Sequence, residues 1–274
     1  MKRVLAAVVF FSLAATAWAG NLTVSFLDVG QGDAILVQSP EGKVALVDGG
    51  PSNLNLGVDK IDLVIVSHHH ADHITGMVAV VEKFKPKVYV DSGSSHTSST
   101  YKRLLSAVSK AGCQFAQPDA GRKIQLGTVT FRLFPQPPED GNENNNSVGV
   151  RLEYGDFSVL LTGDSEKKER AWWRNNADAT LYRAVTVLKA AHHGSRNGMN
   201  AAWLKATDPK LAVISCGKGN NYGHPHKETL DLLKAQAVPV KRTDVDGTIR
   251  IETDGKTWKI KETRLWHRPL ALAA

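Results

Sequence analysis

Cysteine is scarce in this 274-residue sequence: Cys113 and Cys216 are the only two. Two thiols so far apart exclude a thiolate metal cage. An oxidising compartment would permit a disulfide between them, but nothing in the sequence brings them together. Cys216 closes the apolar run "LAVIS" and reads as a buried free thiol. Long hydrophobic runs are also lacking. Only Val4–Ala15 is extended, and it is short for a bilayer span. No repeat of fixed period occurs, and no linker is long enough to demand two independent domains. No dense basic block occurs either. Aromatic residues are 7% of the chain and form no evident stacking platform for a single nucleic-acid strand. Trp172, Trp173, Trp203 and Trp258 read instead as core or cover residues.

What is present is an ordinary globular balance, 42% hydrophobic and 22% charged. A chain of this length builds a core without staples, so a bound metal would serve chemistry more than folding. Lys2 and Arg3, the apolar run and Ala17-Trp18-Ala19 before Gly20 have the pattern of a cleaved secretory leader. We therefore expect a leader over 1–19, one domain over 20–265 and a tail over 266–274, with a periplasmic or secreted product. Removing Lys2 and Arg3 lowers the formal net charge from +7 to +5. That surplus favours anionic partners such as nucleic acid, and equally serves solubility.

Short β-rich runs open the chain: "LTVSFLDV", "DAILVQS" and "KVALVDGG". "DLVIVS" is a continuous apolar run, as in a strand buried on both faces. "ITGMVAVVEKFK" has helical spacing and stops at Pro86, and "STYKRLLSAVSKAG" forms a second helix with Gly112 as its stop. A polar loop spans about residues 135–147. Gly155-Asp156 and Asp254-Gly255 join alternating runs as hairpins. Helices are expected within "EKKERAWWRN", "NAAWLKATDP" and "HKETLDLLKAQ", and strands within "VTVLKAA" and "LAVISCG". Interspersed strands and helices predict mixed sheets covered by helices, an α+β or α/β fold.

The stretch "SHHHADH" carries the strongest chemistry. Alternate side chains of an extended segment point the same way, so His68 and His70 share a face and His69 does not. Asp72 and His73 fall where the next helix begins, where an aspartate can also cap backbone N–H groups. Imidazole plus carboxylate suits Zn, Mn or Fe ions. The histidines also respect strand ends. His68–His70 and His73 follow "DLVIVS", His192 and His193 follow "VTVLKAA", and His224 and His226 follow "LAVIS". Asp164 likewise follows "FSVLLTG". Solvated histidines have no reason to gather there, whereas α/β-type sheets place their sites at strand ends.

His68-x-His70-x-Asp72-His73 resembles the metal signature of the metallo-β-lactamase fold superfamily. "FLDVGQGDAILV", "LVDGG", "NNNSVGVRLEYGDFSVLLTGDSE", "KAAHHGSRN" and "YGHPH" are similar to one branch of it, the extracytoplasmic domain of the DNA-internalisation competence protein ComEC and its free-standing relatives. The match runs from about residue 22 to 253. The resemblance implies a four-layer αββα sandwich with two divalent metal ions, Zn or Mn, along one edge. It implies His68, His70, Asp72, His73, Asp164 and His193 as ligands, with Asp164 bridging, and Asp28, Asp33 and Asp48 as structural support. His69 is not carried over; it reads as a solvated or supporting histidine. Many family members supply another histidine where this chain has Asn144-Asn145-Asn146-Ser147, which leaves metal number and identity open.

Two ions about 3.5–4 Å apart would activate a water and clamp a displacement. Asp72 would orient that water. His192 is expected either as general acid or as a support beside His193. His224, His226, Tyr222 and Lys218 are expected to contact substrate. Their chemistry suits a phosphate better than a neutral lactam. The expectation is therefore a secreted metal-dependent phosphodiesterase or nuclease acting on DNA. Alternatives are hydrolysis of a non-nucleic phosphodiester such as a cell-wall choline ester, lactam or thioester hydrolysis, and a DNA-uptake module without turnover. Uptake would require a separate membrane partner, since no membrane span is expected in the mature chain.

Overall fold

The computed structural model describes residues 20–119 and 121–262; the expected leader, the expected tail and His267 lie outside them. The first half runs β1 (Leu22–Phe26), β2 (Ile35–Gln38), β3 (Val44–Val47), β4 (Leu63–Ile65), α1 (Ala71–Phe84), β5 (Val88–Val90), α2 (Ser99–Ala111) and β6 (Gln114–Ala116). The second runs β7 (Lys123–Leu126), β8 (Val129–Leu133), β9 (Val150–Tyr154), β10 (Phe157–Leu161), α3 (Lys167–Asn176), β11 (Val187–Lys189), α4 (Ala201–Thr207), β12 (Leu211–Ile214), α5 (Lys227–Ala235) and β13 (Val240–Arg242). A short α6 (Thr243–Asp246) and the hairpin β14 (Ile249–Thr253) and β15 (Trp258–Glu262) close it.

The strands form two sheets, β15-β14-β1-β2-β3-β4-β5-β6 and β13-β12-β11-β10-β9-β8-β7. In each, an antiparallel meander gives way to parallel strands: β3 to β6 in one, β10 to β13 in the other. The closing hairpin returns to the first sheet, where β14 pairs with β1 in the register Val24 with Ile251. Period-two alternation explains why the central strands read as continuous apolar runs. Leu63 and Ile65 of β4 face the other sheet, while Val64 faces the helices outside. Val159 and Leu161 of β10 face inward and Leu160 outward. Three hydrophobic layers result, one between the sheets and one under the helices of each face. This is the αββα sandwich. Trp173 and Trp203 fill the outer layer of the second sheet, as expected of core residues. No helix among the described residues is long and apolar enough to cross a membrane.

Helix α1 starts at Ala71, three residues before the apolar spacing does, so Asp72 and His73 lie in its first turn. It ends at Phe84, with Lys85 in the left-handed region at φ 46°. Gly112 caps α2 at φ 69°, as expected. The short strands β6, β7 and β13 were not apparent from periodicity. They lie at sheet edges and their residues are mostly exposed or half-buried, so no apolar alternation marks them.

The approach of α1 to the loop after β3 sets the position of the histidine stretch. Gly49 N–H donates to His73 O at 2.6 Å and Gly76 N–H donates to Gly50 O at 3.1 Å. A Cβ on Gly76 would stand 2.1 Å from Gly49 O and 2.2 Å from Ser52 O. Gly76→Ala must therefore push α1 outward, and we expect a loss of about 1–3 kcal/mol in denaturant unfolding. Both cysteines are free thiols. Burial pushes the Cys216 thiol up to about 12, with Asp244 adding to the rise, whereas Cys113 is half-buried. Alkylation of the native protein, read by peptide mass, is expected at Cys113 and not at Cys216.

Candidate metal centre

The donors come from strand ends in both sheets. The segment after β4 carries His68, His70, Asp72 and His73; the turn after β10 carries Asp164; the turn after β11 carries His192 and His193. Three of the residues that shape these turns have left-handed backbone: Asp48 at φ 58°, His192 at φ 52° and His193 at φ 53°. Non-glycine residues rarely adopt it, and such strain concentrates at functional sites. Hydrogen bonds hold it in place. Ser195 N–H donates to His192 O at 2.7 Å, and Asp48 accepts from Ser67 N–H and Ser67 Oγ, each at 2.7 Å.

The six expected ligands converge. Asp164 is central. Its Oδ1 lies 3.3 Å from His73 Nε2, and its Oδ2 lies 3.4 Å from His193 Nε2 and 3.9 Å from His68 Nε2. Asp72 Oδ2 is 3.1 Å from His193 Nε2 and 4.0 Å from His73 Nε2. His68 Nε2 meets His70 Nδ1 at 3.0 Å. Two groups of donors therefore flank Asp164: His68 with His70, and Asp72 with His73 and His193. His70 is the N-cap residue of α1 but makes no side-chain capping bond, so its ring serves the cavity. Asp72 does not cap the helix; its carboxylate goes to His193.

The His73 and His193 rings are oriented from behind. His73 Nδ1 lies 2.9 Å from Asp48 Oδ2, and His193 Nδ1 donates to Ser215 O at 3.0 Å. Both contacts leave Nε2 facing the cavity, the usual arrangement behind metal-binding imidazoles. Asp33 is buried, with Oδ1 3.4 Å from His193 Nδ1 and Oδ2 2.5 Å from Lys189 Nζ. Burial alone would raise the Asp33 carboxyl; Lys189 and His193 instead bring it down to about 2. Asp33 and Asp48, expected as supports, thus lie on the Nδ1 side of the two rings. The Asp28 carboxylate accepts from Gly30 N–H at 3.3 Å.

The residues fit divalent ions. Asp33, His73, Asp164 and His193 offer donor atoms all within 4.8 Å of one another. His73 Nε2, Asp164 Oδ1 and Asn144 Oδ1 are buried and make no hydrogen bond. Buried polar atoms without partners are costly, and an ion between them would satisfy them. The titration behaviour agrees. Burial would push His73 and His193 down, but Asp164 with Asp48 or Asp33 holds both well above the ordinary histidine range. Burial would raise Asp164, and His193 and His73 hold it well below the carboxylate range. Protons on the imidazoles thus balance charge that cations would balance. His68, lowered by burial and then by His73, stays neutral and ready to ligate.

The cavity is about 370 Å³ and is lined by Gln31, His70, Ala71, Asp72, Asn144, Asp164, His192, His193, Tyr222 and His224. Of the four expected substrate contacts, it includes Tyr222 and His224. His226 is turned aside, its Nδ1 accepting Arg196 N–H at 3.0 Å, and exposed Lys218 is not in the wall. His192 lies with Nδ1 3.5 Å from Glu166 Oε1 and Nε2 3.8 Å from Asp164 Oδ2. Burial lowers His192, and burial followed by His193 and His192 brings His224 down to about 4. Gln31 Oε1 accepts Gly217 N–H, so its Nε2 donates to His224 Nδ1 at 3.5 Å. The neutral His224 ring then carries its proton on Nε2.

His69 is neither solvated nor part of the cavity. Its buried ring stacks on Tyr101 at 3.9 Å, with Nδ1 3.0 Å from Glu143 Oε1 and Nε2 3.6 Å from Asp91 Oδ2. It ties the ligand segment to the 3-10 turn at Glu143–Asn146 that brings Asn144 to the wall. Gln31 in the wall and Lys189 behind it are positions that spacing did not reveal. The signal available for Lys189 was one charged residue closing an apolar strand beside a histidine pair.

Residues 27–218 match the metallo-beta-lactamase superfamily. ComE operon protein 3 of Bacillus subtilis (strain 168) is 30% identical over 257 residues, covering 83% of this chain and 32% of that protein. Competence protein ComA of Neisseria gonorrhoeae is 29% identical over 237 residues, again covering 83% of this chain and 32% of that protein. The chain spans about a third of the length of these curated relatives. Among solved structures, the metallo-beta-lactamase fold protein YhfI from Bacillus subtilis superposes with a TM-score of 0.56 at 14% identity, covering 85% of this chain and all of that one.

Ion binding by this centre has a thermodynamic signature. A divalent ion at one hundred times its Kd adds about 2.7 kcal/mol to the stability of the native state. Thermal unfolding with added Zn or Mn should show that gain, a chelator should remove it, and Asp164→Ala should abolish it.

Proposed function

Since this chain belongs to the metallo-beta-lactamase superfamily, we propose that it is a secreted or periplasmic metal-dependent hydrolase of phosphodiesters, with DNA as substrate. The observation that carries this reading is the character of the cavity wall: among the described residues Ala71 is the one aliphatic residue in it, and the rest carry polar donors and acceptors. A phosphodiester needs hydrogen-bond donors at each free oxygen, and His192, Tyr222 and His224 in this wall offer them. Similarity to a protein named for competence supports DNA over other diesters.

The roles follow from position. His68 and His70 on one side, and Asp72, His73 and His193 on the other, would hold two divalent ions, with Asp164 shared between them. Such ions supply Lewis-acid stabilisation and lower the pKa of a water. Asp72, with its carboxylate partly open to the cavity, orients the attacking water by accepting its hydrogen bond. His192 serves as the general acid: its protonated ring, which burial makes a stronger acid, gives its proton to the leaving oxygen. His224 Nε2–H donates to a non-bridging phosphate oxygen. Tyr222, 66% exposed at the rim and stacked on His224 at 5.6 Å, contacts the neighbouring part of the substrate.

Full-length protein freed of metal, then supplied with Zn²⁺, Mn²⁺ or Mg²⁺, can be offered DNA, a small chromogenic phosphodiester, a choline phosphodiester and a chromogenic lactam. We expect cleavage of DNA and the small diester, with His192→Ala reducing kcat on both by about 10²–10⁴. Turnover of the lactam alone would overturn the reading. DNA binding without cleavage under any ion would replace it with an uptake module.

A further inference from the structure

Lys189 closes β11 with its side chain 1% exposed, and Asp33 is fully buried. Among the described residues, Lys189 and Arg170 are the Lys or Arg side chains that are buried, and only Lys189 has its cationic end against the metal centre. Its Nζ reaches Asp33 Oδ2 at 2.5 Å and donates to Ala190 O at 3.2 Å. Asp33 is itself fixed by its backbone, donating to Asp72 O at 3.2 Å and accepting from Gly50 N–H at 2.8 Å. Its carboxylate stands behind both histidines of one side of the centre: Oδ1 is 3.4 Å from His193 Nδ1, and Oδ2 is 4.0 Å from His73 Nδ1.

An aspartate so placed has two possible fates. Its donor atoms belong to the same 4.8 Å cluster as those of His73, Asp164 and His193, so an uncommitted carboxylate is a competing ligand. A carboxylate held on the Nδ1 side of the rings instead places its charge behind them, where Asp48 and Ser215 O already turn Nε2 of each toward the cavity. The lysine decides between them, because a buried carboxylate with its own cation has its charge already answered.

We propose that the Lys189–Asp33 pair is a positioning device, in which Lys189 withdraws Asp33 from ligation and holds its charge behind His193 and His73, whose Nε2 atoms would ligate the ion on the Asp72 side. This rests on the reading that the cavity holds divalent ions. It adds an asymmetry, because His68 and His70 contact neither member of the pair. Loss of the device therefore weakens one ion selectively, whereas general destabilisation of the fold would weaken both.

Co²⁺ titration of the metal-free full-length protein, followed by visible ligand-field absorption, reads the two ions separately from activity. In the wild type two binding phases are expected. Lys189→Met should weaken one phase by about 10–100-fold and change its absorption, leaving the other phase in place. Removing a single member of a buried pair is strongly destabilising, so the double variant Asp33→Asn with Lys189→Met serves as the second test. It leaves no lone charge and should fold while showing the same selective loss. Two wild-type phases with unaltered affinity and spectrum in the folded double variant would overturn the proposal but leave ion binding intact. Equal weakening of both phases would overturn it in favour of a purely structural role. Absence of Co²⁺ binding in the wild type would overturn the ion-binding reading and the proposal together.

Discussion

Four aspartate carboxylates, from Asp33, Asp48, Asp72 and Asp164, are gathered where water is largely excluded, and their negative charge has to be balanced locally. Desolvation would otherwise protonate them. Their partners overlap. Asp33 has Lys189, Asp48 has the Ser67 donors and His73, and Asp72 and Asp164 share the imidazoles that ions would bind through.

That balance needs a backbone that points side chains against its own preferences. Left-handed conformations at Asp48, His192 and His193 aim three groups into one place, at a cost of order 1–3 kcal/mol each. The flanking elements meet that cost through packing. α1 lies against the Gly49-Gly50 turn closely enough that Gly76 has no room for a methyl group, and β4 and β10 are buried through every residue. The site is thus a loop structure held by rigid strand ends.

Much of this was legible in the sequence, and the reason is periodicity. Apolar runs such as "DLVIVS" and "FSVLL" announced central strands because both faces of each sheet are covered, and histidines following them announced a common edge. Edge strands β6, β7 and β13 were silent because half-exposed residues carry no such pattern. His69 was legible only as a side chain facing away from His68 and His70. That it meets Glu143, seventy-four positions on, is a tertiary fact. His226 was paired with His224 by spacing, yet it heads α5 and turns to Arg196 instead. Lys189 illustrates the general limit: a lysine at a strand end reads as solvent-facing until the fold places a buried aspartate over it.

The donors are divided between the two halves of the sandwich, His68, His70, Asp72 and His73 beside one sheet and Asp164 and His193 beside the other. Neither half holds a complete set of donors. Bound cations would therefore work as a clasp across the seam, tightening the grip of one half on the other in proportion to their own affinity.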